Sequence, residues 1–121
     1  MTTLTSHTAR WPTVLLWTAQ IAAAALFLFA GTLKLTGAAP MVQVFAAIGL
    51  GQWFRYATGT IEVVSALLLL VPSLAFFGAS AMVVTMIGAV LTHVVIIGGN
   101  PFPAIVLLAV TSAIAWVRRP R

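Results

Sequence analysis

The chain has 121 residues, no cysteine, and a single acidic residue, Glu62, against six lysines and arginines. Without cysteine it cannot itself carry a dithiol or disulfide mechanism, ligate a metal through thiolate, or attach haem covalently. Two histidines and one glutamate are too few for a self-contained metal site, so no metal is expected. Charged residues make up 6% of the chain, where a soluble domain carries about 25%. A normal wet surface is therefore out of reach. The net charge of +5 does not point to nucleic acid, because Arg118, Arg119 and Arg121 cluster beside a C-terminal apolar segment, as topology signals do. They form no basic face with interleaved aromatics. No nucleophile, cofactor motif or internal repeat stands out.

What is present is apolar: 62% of the residues are hydrophobic. The bilayer must be the solvent for most of the chain, and this length leaves room for about four spans of ~20 residues. The expected fold is all-α, an integral membrane four-transmembrane-helix bundle in one domain over residues 1–121. Spans are expected at about 12–35, 57–71, 74–97 and 102–117. Arg10 and the apolar run after it imitate a signal peptide, but the run extends from Trp11 to Leu35, well beyond an h-region of about 7–15 residues. It reads as a retained first span, with Pro12 in its first turn.

Gln20, Ala24, Phe27, Gly31 and Lys34 fall at steps of four and three, so they share one face of that span. A stripe of small and polar residues is what an interface between membrane helices requires. Met41, Val44, Phe45 and Ile48 recur with the same spacing and then stop at Gly49 and Gly51. That segment, about 41–48, is too short to cross and is expected as an interfacial or re-entrant helix between spans 1 and 2. Trp53, Phe54 and Tyr56 follow as a headgroup-level aromatic cluster. Thr58, Glu62 and Ser65 share a face of the second span, as do Met82, Thr85, Ala89 and His93 in the third. Gln20 and Thr85 read as residues that join helices. Arginine counting puts both termini in the cytoplasm and the 36–56 connection outside, in a plasma membrane.

The ionisable groups then fall in one layer. Lys34 ends the first span, Glu62 lies about 7–9 Å inside the second and His93 about 6–8 Å inside the third, at 1.5 Å per residue. Arg55 just precedes span two, and Asn100 sits in the last outer turn. A carboxylate in an apolar run is costly and is usually paired, protonated or functional. Glu62, His93 and Lys34 are therefore the candidate catalytic residues, for a proton relay or acid/base step. Arg55, Asn100 and Thr58 are candidate ligand-binding residues. The same group could clamp a carbonyl of a quinone or lipid-like ligand, or bridge helices structurally. Both readings stay open at this point.

Ala30-Gly31-Thr32-Leu33-Lys34-Leu35, Gly59-Thr60-Ile61-Glu62 and Thr92-His93 resemble the DoxX-like family of small four-helix membrane proteins. The resemblance covers about residues 20–118, and Lys34, Glu62 and His93 match the family's polar pattern. It implies a four-helix bundle associated with redox systems. One branch is similar to the membrane subunit of thiosulfate:quinone oxidoreductase, and others serve as accessory factors. Relatives tied to disulfide formation use cysteines that this chain does not have. The expected role is a subunit or accessory factor of a redox-linked, quinone-associated membrane complex. Its partners would be the lipid bilayer and other membrane or redox proteins, with a homo-oligomer open. The alternatives are an assembly factor with a structural polar cluster and, at longer odds, a small proton-coupled exporter. The exporter pattern requires its glutamate in the first helix.

Overall fold

Apolar residues at helical spacing, punctuated by a few glycines and prolines, leave the chain no alternation from which to build strands. The computed structural model describes residues 2–120, with side chains from residue 10 onward. Arg121, one of the topology arginines, lies outside the described residues. All regular structure among the described residues is helical: α1 (Thr2–Thr36), α2 (Ala39–Ile48), α3 (Trp53–Leu69), α4 (Ala75–Thr92) and α5 (Phe102–Arg118). A π-helical turn, His93–Ile97, continues α4. Two stretches are long and apolar enough to cross a membrane, Arg10–Thr36 and Ala75–Ile97.

The helix bounds differ from expectation in three places. Pro12 lies inside α1 instead of opening it; a helix once nucleated propagates readily through residues ahead of a proline. The second long helix begins at Trp53, not near Ala57, so the aromatic cluster forms its first turn. Gly51, at φ 98°, turns the chain just before it. The same helix stops at Leu69 because Pro72 disfavours helical backbone in the residue before it.

α1 packs along α3, α3 along α4, and α4 along α5, with a smaller contact closing α5 onto α1. The interior is made of small residues around a few large ones. Ala23, Ala24, Ala66 and Ala79 surround the fully buried Phe27, Leu69, Met82 and Ile114. The exterior is apolar as well: Leu15, Phe29, Val84 and Val95 are 65–74% exposed. This inverts a soluble protein, which exposes contiguous apolar surface only in limited patches. α2 lies over one end, touching α1, α3 and the π turn. Its Phe45 is buried and Met41, Val44 and Ile48 are half-buried, while Gln43, Ala46 and Ala47 face outward.

Candidate functional site

The site begins with two glycines. Gly31 and Gly59 stand one turn before Lys34 and Glu62 on α1 and α3, and the helices cross where they meet. A Cβ on Gly31 would lie 2.9 Å from the Gly59 carbonyl oxygen and 2.8 Å from Val63 Cγ2. A Cβ on Gly59 would lie 2.9 Å from Lys34 Cβ and 3.1 Å from the Gly31 carbonyl oxygen. Only hydrogen fits on either side, and the small-residue contact lets the backbones approach. The next residues on the same faces are thereby forced together. Lys34 Nζ donates to Glu62 Oε1 at 2.7 Å, with side chains 15% and 3% exposed.

Arg55, 5% exposed, closes the end of this arrangement. One guanidinium nitrogen donates to the Lys34 carbonyl, and Nε donates to Gln52 Oε1 at 2.8 Å. The guanidinium also lies 4.3 Å from the Tyr56 ring centroid. Gln52 Nε2 in turn donates to the Val42 carbonyl at 3.2 Å, which ties α2 into the same network. The Lys34 carbonyl is among the last four of α1, which have no partner within the helix. Arg55 therefore satisfies a helix end with a positive charge, as the helix dipole favours.

The other expected residues make their hydrogen bonds outside the pair. His93 is half-buried, and its Nδ1 bonds the Gly98 carbonyl at 3.0 Å, at the end of its own π turn. No hydrogen bond joins it to Lys34 or Glu62 among the described residues. Asn100 Oδ1 accepts from the Phe102 N–H at 3.0 Å and satisfies one free donor at the start of α5. Thr58 Oγ1 donates to the Phe54 carbonyl at 2.8 Å. Thr85, expected to join helices, instead donates to Ala81 on its own helix at 2.9 Å. In apolar surroundings the carbonyl four residues back is the nearest acceptor a threonine has.

Gln20 does join helices. It is fully buried, donates from Nε2 to the Leu69 carbonyl at 2.7 Å, and accepts from Arg118 Nε at 2.8 Å. This second polar centre, at the opposite end from α2, connects α1, α3 and α5. Sequence reasoning missed Gln52, Arg118 and the paired role of Gly31 with Gly59. For the glycines a signal existed, a glycine three residues before each charge. For Gln52 and Arg118 there was none. Every buried side-chain nitrogen and oxygen among the described residues has a partner.

Comparison with curated proteins and with solved structures finds no match to this chain. The match to a family is extensive: residues 18–117, which hold the glycine crossing, the Lys34–Glu62 pair and Gln20, fit the model of the DoxX-like family. With its apolar helices, the chain is a membrane protein belonging to the DoxX-like family.

Proposed function

We propose that the protein crosses the plasma membrane four times and serves as a subunit or accessory factor of a redox-linked, quinone-associated complex. In this reading the Lys34–Glu62 pair is a clamp between helices and not a catalytic dyad. The observation that carries it is the closure of the pair. Both charges sit beside a crossing too tight for a methyl group, and Glu62 is 3% exposed. His93, the group that would pass a proton onward, is bonded within its own turn.

Four crossings are supported by the side-by-side contacts of α3 and α5 with the two long helices. At 17 residues each, α3 and α5 are about 26 Å long against a hydrocarbon core of about 30 Å. Arg10, Arg118 and Arg119 at the end opposite α2 support cytoplasmic termini. The redox association comes from the DoxX-like resemblance. The partner-facing role is supported by the α2 end, where Leu50, Trp53 and Tyr56 are 50–65% exposed.

The test is affinity purification from native membranes of wild type and the double variant Lys34→Met/Glu62→Gln, with quinone quantified. The expected result is that both recover the same membrane partner, and that quinone follows the partner and is absent from the isolated chain. Quinone retained by the isolated wild type and lost from Glu62→Gln alone would replace the clamp with a ligand site.

A further inference from the structure

Away from the polar pair, at the end carrying Arg118, a groove of about 430 Å³ runs between α4 and α5. Phe76, Ser80, Val83 and Val84 line one wall, and Ser112, Ala115, Trp116 and Arg119 the other. On each wall the residues are linked by steps of three and four, with Val83 and Val84, and Ala115 and Trp116, as adjacent pairs, so each wall is one continuous helix face. Three features of the groove match an amphipathic, negatively charged molecule.

The first is an unbalanced cation at the mouth. Arg119 lies 3.9 Å over the Trp116 ring and spends one donor on the Trp116 carbonyl. A guanidinium has five N–H donors. No carboxylate faces it among the described residues, because Glu62 is held by Lys34 at the other end. The second feature is a pair of hydroxyls within the groove. Ser80 and Ser112 make no hydrogen bond among the described residues, whereas Thr85 and Thr111 on the same two helices bond back to their own backbone. Ser112 lies two turns inward from Arg119, about 10 Å along α5 at 1.5 Å per residue. The third is the apolar stretch of the α4 wall one turn beyond Ser80, where Val84 is 71% exposed.

Charge, then hydroxyl, then hydrocarbon is the order met on descending from a phospholipid's phosphate through its ester groups to its acyl chain. We infer that this groove is a binding site for an anionic phospholipid, with the phosphate on Arg119, the ester region against Ser80 and Ser112, and one acyl chain along Val83 and Val84. Trp116, 67% exposed, stands at the same boundary, where indole rings are favoured. Basic pockets between helices on the cytoplasmic side are recognised lipid-headgroup sites.

The experiment is native mass spectrometry of the detergent-purified protein titrated with phosphatidylglycerol or phosphatidylcholine of identical acyl chains. Wild type is expected to retain phosphatidylglycerol preferentially. Arg119→Gln is expected to lower that retention about fivefold, the worth of one basic residue near an anionic surface. Arg119→Lys should restore most of it. Ser112→Leu, which fills the groove at an exposed position and leaves every charge in place, should lower it as well. Arg10→Gln, which removes a charge on α1 outside the groove, should leave it unchanged. Equal retention of the two lipids would overturn the inference. So would an effect of Arg10→Gln as large as that of Arg119→Gln, or Ser112→Leu behaving as wild type. Displacement of the lipid by millimolar inorganic phosphate alone would also overturn it, since the acyl groove would then contribute nothing.

Discussion

At the residue scale, the arrangement turns on how little room separates α1 from α3. Gly31→Ala places a methyl group 2.8–2.9 Å from Val63 and the Gly59 carbonyl, and overpacking of that kind costs about 1–3 kcal/mol. Gly88 lies in the interior of α4 with nothing within 4 Å of its absent Cβ. Gly88→Ala should therefore stabilise by about 0.5–1 kcal/mol through helix propensity. Thermal unfolding in one detergent checks both, and the two alanines should move the midpoint in opposite directions. Gln20→Leu should destabilise by about 1–3 kcal/mol, because the Leu69 carbonyl and Arg118 both lose their partner. Much of this scale was legible in the sequence. The stripe from Gln20 to Lys34 is the buried face of α1, since i, i+4 and i, i+3 steps leave a helix no other geometry. What escaped was which groups meet. The partner of His93 is its own Gly98 carbonyl, and the π turn that creates this contact leaves no mark in hydrophobic spacing.

At the element scale, α2 is held over the end of the helices by one chain of bonds: the Lys34 carbonyl, Arg55, Gln52 and the Val42 carbonyl. Phe45 against Phe54, ring centroids 5.7 Å apart, supplies the apolar part. Arg55→Met keeps the apolar stem and removes the bonds. Hydrogen exchange should accelerate across residues 35–52 and stay unchanged around Gln20, at the far end. Uniform acceleration along α1 would show that Arg55 supports the whole assembly instead. The short apolar face of α2 was readable because Gly49 and Gly51 bound it. The start of α3 was not, because Trp53, Phe54 and Tyr56 serve a headgroup boundary and a helix start equally well.

At the scale of the whole molecule, the polar bonds that join helices gather at the two ends: Lys34, Glu62, Arg55 and Gln52 near α2, and Gln20 and Arg118 opposite, with Arg119 beside them. Between them the helices meet through alanine, glycine, a few large apolar side chains and the small hydroxyl residues Ser65 and Thr111, and present mostly apolar surface outward. The chain's lack of cysteine makes the sidedness directly measurable with single introduced thiols. With four crossings, Ala47→Cys on the exposed face of α2 should react with a membrane-impermeant maleimide on intact cells. Pro120→Cys should react only after permeabilisation. The reverse pattern would invert the topology. Labelling of both thiols on intact cells would remove one crossing.

The central claim is that Lys34 and Glu62 act as a clamp, and a double-mutant cycle tests it most directly. Thermal or denaturant unfolding of wild type, Lys34→Met, Glu62→Gln and the double variant gives the coupling between the two side chains. Lys34→Met leaves the buried Glu62 without its partner and should lose about 3–5 kcal/mol, Glu62→Gln leaves the half-buried Lys34 facing a neutral amide and should lose less, and the double variant should return close to wild type. Single variants as stable as wild type, or a double variant that loses the sum of the two, would contradict the account.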